Sequence, residues 1–206
     1  MPDQVIEAVV PTKDEATRVA IIDAAQKLFQ HYGLNKTTME DIAKSLGKSK
    51  SSLYYYYATK EDIFEAVVEK EKLIIFKDIN LAISREQNAV DKFRIFVNTK
   101  FREIRKRHLL HKILFDEIYD NVCLFNIIKK KYGAIELEII KNILSYGVKH
   151  GEFEIQDDDL DAFTQVCAIT LRGIHLNFIF NEGEHCDASE ALINTATEML
   201  LKALKK

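Results

Sequence analysis

TTMEDIAKSLGKSKSSLYYYYATKED, residues 37–62, decides how the rest of the chain is read. Thr38, followed three residues later by Asp41, is a capping box; Ile42 and Leu46 give the segment an inward face, and Gly47 ends it. Ser49 is a good N-cap for a second short helix. Thr59 with Asp62 opens a longer one, whose period runs through Ile63, Phe64, Val67 and Val68 toward Ile83. Two short helices joined by a tight turn at Gly47 form a helix-turn-helix pattern, in which the second helix enters the major groove of DNA.

Tyr54 to Tyr57 stand in a row, and no single element can bury all four. Leu53 and Tyr57 are four apart and share the inward face. Tyr54 lies over Lys50 and Tyr56 over Ser52, with Tyr55 between the core and the outside. A phenol donates a hydrogen bond to a phosphate oxygen while its ring packs on sugar or on a thymine methyl. The local charge agrees, because Lys36, Lys44, Lys48, Lys50 and Lys60 face only Glu40 and Asp41 in this stretch.

Outside that stretch the chain is mildly acidic, with a net charge of −3 over 206 residues. A nonspecific DNA-packaging protein would spread positive charge broadly, so that reading is disfavoured. No proline follows Pro11, and glycine is sparse, which calls for an all-α fold. Three cysteines with no C-x-x-C spacing suit a reducing cytoplasm, and their expected role is as small fillers. The N-terminus lacks a signal-peptide pattern, and the longest apolar runs are broken by Arg172 and Asn177, so the expectation is a cytoplasmic chain with no membrane span. Glycine-rich phosphate loops, nucleophile elbows and H-E-x-x-H are absent, so neither an enzyme nor a cofactor is expected.

The stretch AAQKLFQHYGLNKTTMEDIAKSLGKSKSSLYYYYATKEDIFEAV resembles the DNA-binding domain of tetracycline-repressor-type (TetR family) transcriptional regulators, from about Arg18 to Val67. The likeness rests on four linked pieces: AA-x-x-LF, TT-x-x-x-IA, G-x-SK-x-x-LY and T-K-E-D. It implies that Thr37 and Thr38 bind phosphate at the start of the second helix. Ser49, Lys50, Ser51 and Ser52 would read base edges and neighbouring phosphates, with Tyr54, Tyr56 and Tyr55 as aromatic contacts. Lys60 would meet a phosphate at a helix start, where the dipole helps. Lys48 departs from the family's small apolar residue and adds a phosphate contact; Ser51 departs from its common glycine.

The expected organisation is a flexible arm at residues 1–12, a helix-turn-helix DNA-binding domain at 13–60, and a helical regulatory and dimerisation domain at 61–206. The apolar stripe Ile22, Ala25, Leu28, Phe29 and Tyr32 makes the first helix. Val90, Phe93, Val97, Phe101, Ile104 and His108 make another stripe, and a long helix from Cys123 to about Val148 follows. HGEFEIQDDDLD reads as a turn with an acidic helix start. The last two helices, about Leu160–Phe180 and Ala188–Leu204, pair with a second subunit in the family. Gly173 either permits close approach at that seam or is a tolerated interior glycine. A short reading helix gives weak specificity alone, so a homodimer on a near-palindromic operator is expected.

The family usually carries a small-molecule pocket in its helical body, and the repressor sign comes from the resemblance. Candidate pocket residues are Phe101, His108, Phe115, Tyr119, Cys167, Leu171 and His175, whose bias suits a hydrophobic effector; core packing is the other reading of each. The basic run RKRHLLHK, residues 105–112, reads as a solvated face, and KKK at 129–131 likewise. His108 with His111, and EHCD at 184–187, contain metal-ligand types without a completed set. The alternatives are a regulator without a small-molecule inducer and a nonspecific DNA-binding helical protein.

Overall fold

The computed structural model describes residues 12–107, 122–180 and 186–205. They fold into helices, without a strand among the described residues. The chain divides into two compact units, Met1–Glu69 and Lys70–Lys206.

The first unit is built on helix starts that the sequence writes locally. α1 (Lys13–Tyr32) opens on a capping box between Thr12 and Glu15, and ends where Gly33 takes φ 84° and donates its N–H to the Phe29 carbonyl. Ile21, Ala25 and Phe29, four residues apart, are its buried face, while Tyr32 in the last turn is exposed rather than part of that stripe. α2 (Met39–Ser45) opens on the Thr38–Asp41 box and buries Met39, Ile42 and Ala43. The chain reverses at Gly47, φ 62°, where a side chain would strain the backbone. α3 (Lys50–Tyr54) follows, capped by the Ser49 hydroxyl on the Ser52 N–H at 3.2 Å. α4 (Lys60–Ser84) opens on Thr59 and Asp62, which exchange bonds of 2.9 and 3.0 Å. Its first turns belong to the first unit: Ile63, Phe64, Val67 and Val68 are buried, and Phe64 meets Phe29 edge-to-face at 5.5 Å.

In the second unit, α5 (Ala89–Lys106), α6 (Val122–Lys149), α7 (Leu160–Phe180) and α8 (Cys186–Leu204) enclose one apolar core with the end of α4. Phe93, Val97, Phe101 and Ile104 line α5 as the sequence stripe expects. The segment between α6 and α7 is more than a turn. Phe153 and Ile155 are buried in the core, the Glu154 N–H donates to the Leu204 carbonyl at 2.9 Å, and Asp157–Asp159 form one 3-10 turn. Gly147 makes room for this return, since a Cβ there would lie 2.1 Å from the Phe153 ring. The Glu152 carboxylate accepts the Ala89 N–H at 2.8 Å and so caps α5 from 63 residues away. No described helix is long and apolar enough to cross a membrane.

Candidate nucleic-acid interface

α3 is only five residues long, so its register depends on what grips it. Leu53 is the anchor: fully buried, it holds one side of the helix against the first unit's core. Lys50 and Ser51 then point outward, and Tyr54 and Tyr55 are 48% and 74% exposed. Lys48 and Ser49 are exposed at the turn before them, and Ser52 is half-buried. The Ser49 hydroxyl lies 3.0 Å from that of Ser51, so the two serines share a hydrogen bond while Ser49 caps the helix.

The second pair of tyrosines is held from α1. The Tyr56 hydroxyl donates to Asp14 at 3.0 Å, and Arg18 donates to the Tyr56 carbonyl at 3.0 Å. The Arg18 guanidinium also sits 5.5 Å from the ring centres of both Tyr56 and Tyr57. Tyr56 is half-buried, with its phenol hydrogen committed to a carboxylate. It therefore braces the outward rings, Tyr55 packing edge-on against it at 5.0 Å. Asp14 and Arg18 were not singled out in the sequence, because nothing local ties α1 to the tyrosine row.

The two threonines separate. Thr37 is 2% exposed and its hydroxyl donates to the Gly33 carbonyl at 2.8 Å, so it closes the end of α1 instead of facing a phosphate. Thr38 is exposed, and its hydroxyl donates to Asp41 at 2.6 Å. Hydrogen bonds from the Thr38 hydroxyl and N–H hold the Asp41 carboxyl below its ordinary value. Lys60 is half-buried and donates to the Leu34 carbonyl at 2.8 Å; an ammonium has three donors, so two remain. Beside these residues lies a groove of about 410 Å³ lined by Leu28, Tyr32, Lys36, Thr37, Asp41, Lys44 and Ser45. Lys36 and Lys44 are exposed cations there, and belong with the outward set on charge alone.

The second unit holds the candidate effector residues. Phe101, Cys167 and Leu171 are buried in the same core cluster. Burial raises the Cys167 thiol to about 11, which keeps it protonated and a poor nucleophile. Burial, with Lys100 and Lys72 nearby, pulls His175 well below its ordinary value, so its imidazole is neutral. His108, Phe115 and Tyr119 lie outside the described residues, as do the His108–His111 pair and the side chains of EHCD. Among the described residues no cluster of His, Cys, Asp and Glu could hold a metal ion.

The sequence did not single out the charges buried around these residues. Lys100 and Glu103 are 7% and 1% exposed, and Lys100 is paired with Glu136 of α6. Arg107, expected on a solvated face, instead pairs with Glu71 of α4 and, at 2.5 Å, with Glu103. Burial pushes the Glu103 carboxyl upward, but hydrogen bonds from Lys106, Arg107 and Arg102 outweigh it and bring it to about 2. On the outside, α7 exposes Val166 and Ile169, and α8 exposes Leu192 and Met199. Gly173 lies on α7 seven residues after Val166, with open space where a Cβ would stand.

Residues 21–67 match the family described as "Bacterial regulatory proteins, tetR family". The Staphylococcus epidermidis protein named "Biofilm operon icaADBC HTH-type negative transcriptional regulator IcaR" is 49% identical over 49 residues, 24% of this chain and 26% of that one. The nucleoid occlusion factor SlmA of Actinobacillus pleuropneumoniae is 24% identical over 81% of this chain and 84% of its own. Among solved structures, a transcriptional regulator from Cytophaga hutchinsonii aligns with TM-score 0.72 and 26% identity, covering 93% of this chain and all of that one. A regulator from Saccharomonospora viridis, solved in complex with choline, aligns with TM-score 0.74 and 16% identity over 93% of this chain and 98% of its own.

Proposed function

Taking the chain as the TetR-family DNA-binding transcriptional regulator that its domain at residues 21–67 makes it, we propose that it is a repressor that binds a near-palindromic operator as a homodimer and is released by a small molecule. The observation that carries the reading is the outward edge of α3. Leu53 locks the helix from behind, leaving Lys50, Ser51, Tyr54 and Tyr55 in front, with Lys48 beside them. In this reading Lys48 and Lys50 meet phosphates, Ser51 and Ser52 reach base edges, Ser49 fixes the helix start, and Tyr54 and Tyr55 pack on the backbone. Thr38 and Lys60 contribute at the flanks, each sharing its polar atoms with an internal bond. Thr37 and Tyr56 act as braces.

Two copies are needed because five helical residues touch too few bases to choose a site. The exposed Val166, Ile169, Leu192 and Met199 supply apolar faces for a second copy. The repressor sign is supported by the negative regulator that shares 49% identity with the reading head. The ligand step is supported by the choline complex of a structural relative, and by the polar cluster described above. Release requires that the effector bind the DNA-incompetent arrangement more tightly than the competent one.

The test is selection of DNA fragments from a random pool by the purified chain, with its mass in solution measured alongside. An inverted repeat bound by a species of twice 23.8 kDa is expected. Recovery of unrelated sequences, or a monomer that still selects a single half-site, would overturn the proposal.

A further inference from the structure

We propose that the site framed by α4, α5, α6 and α7 around the Lys72 ammonium takes a small carboxylate with an apolar tail. This rests on the ligand-responsive reading and adds the effector's chemical class, an anionic amphiphile. Among the described residues, the Lys72 ammonium has no hydrogen bond or ion pair. Its charged neighbours are Glu136 on α6, Lys100 and Arg107 on α5, and on α7 the neutral His175. Glu136 is already bound by Lys100, and Arg107 is held by Glu71 and Glu103. In the wider cluster Lys72, Lys100, Arg102, Lys106 and Arg107 share three described carboxylates, Glu71, Glu103 and Glu136. Burial therefore dominates at Lys72 and lowers its ammonium to about 8, a group waiting for a counter-charge.

A second polar group, on α5, is also unsatisfied. The Thr99 hydroxyl, one residue before Lys100 on α5, is fully buried without a hydrogen-bond partner among the described residues. Aromatic and aliphatic side chains stand on the same four helices. Phe76 of α4 stacks on Tyr132 of α6 at 6.4 Å, the Lys100 ammonium lies 5.8 Å from the Phe101 ring, and Leu171 of α7 is sealed in the same core. A neutral ligand would leave the Lys72 charge uncompensated, and a cation would oppose it. A carboxylate supplies the missing charge, and a hydrocarbon tail suits the rings. Solvent still reaches part of Lys72, so the residue is not walled off from a ligand.

The experiment titrates the full chain, native and Lys72→Met, with straight-chain carboxylates from hexanoate to palmitate and with the matching alcohols and amines. Calorimetry and thermal unfolding are the readouts. The native chain is expected to bind at least one carboxylate about tenfold or more tightly than its alcohol, as a hydrogen-bonded charge allows. Lys72→Met is expected to abolish that preference and, without ligand, to melt no lower than the native chain, because methionine fills the same space without a buried charge. Equal binding of acid and alcohol, preference for the amine, no binding across the series, or preference surviving in Lys72→Met would each overturn the proposal. So would a much lower melting point of the ligand-free variant, which would assign Lys72 to holding the fold. If the preferred carboxylate binds through Lys72 but leaves an operator complex intact, the release reading falls and the anion site stands.

Discussion

The two units treat charge in opposite ways. In the first, acidic side chains sit at helix starts, capping N–H groups three residues away, and the lysines at the start of α3 stay in water. In the second, charges are drawn inside: Arg107 pairs with Glu71 and Lys100 with Glu136, each across 36 residues, while Lys72 has no such pair among the described residues. The first arrangement makes a head whose shape is specified locally and whose charge is free to meet a polyanion. The second makes a body whose interior depends on ionic pairing, and an interior of that kind responds to a new charge.

The contrast can be broken first at Leu53. Leu53→Ala should destabilise the first unit by about 2–5 kcal/mol, the cost of emptying a fully packed site, and abolish operator binding. Most helical signal should persist to the native melting point, because the second unit has its own core; loss of both units together would deny their independence.

Next comes Glu103, with a folded pKa of about 2 against an ordinary 4.5. The folded pKa is depressed, so its contribution is complete above about pH 4.5 and is lost as pH falls through about 2. Glu103→Gln should cost on the order of 3 kcal/mol at neutral pH and flatten the acid limb of a denaturation series between those values. An unchanged acid limb would remove Glu103 from the ionic core.

Smaller effects sharpen the comparison in the head. Thr38→Ala removes the α2 cap and should cost about 1 kcal/mol, measured by urea unfolding. Lys50→Ala should leave the melting temperature unchanged and reduce the salt dependence of operator binding by roughly 0.9 in log–log slope, one phosphate's share. Unchanged salt dependence would take Lys50 off the phosphate backbone.

What was legible follows the same line. The caps at Thr38, Ser49 and Thr59, the stop at Gly47, and the buried stripe of α5 depend on residues within a turn or two, so the sequence carries them directly. The ionic cluster does not, because Arg107 looks like one more cation in RKRHLLHK until Glu71 is brought to it from another helix. A signal was present: Lys100 and Glu103 follow Phe93 and Phe96 at seven-residue spacing, so both fall on the inward side of α5. Phe153 and Ile155 fall in a stretch that reads as a turn, since so short a segment gives no helical period. Only the space above Gly147 reveals where Phe153 goes. Within the candidate interface, exposure separates Thr37 from Thr38 and Tyr56 from Tyr55, and neighbouring letters in a sequence carry no such distinction.

The clasp from α1 onto the tyrosine row has a consequence for how recognition can change. Arg18 grips the Tyr56 carbonyl and lies against the Tyr56 and Tyr57 rings from 38 positions upstream, so the ring that backs Tyr55 is held by a residue on a different helix. In the proposed reading, replacing Arg18 shifts which duplexes are favoured by loosening the brace behind the edge that meets DNA. Drift in target choice can therefore begin behind the surface that meets the target.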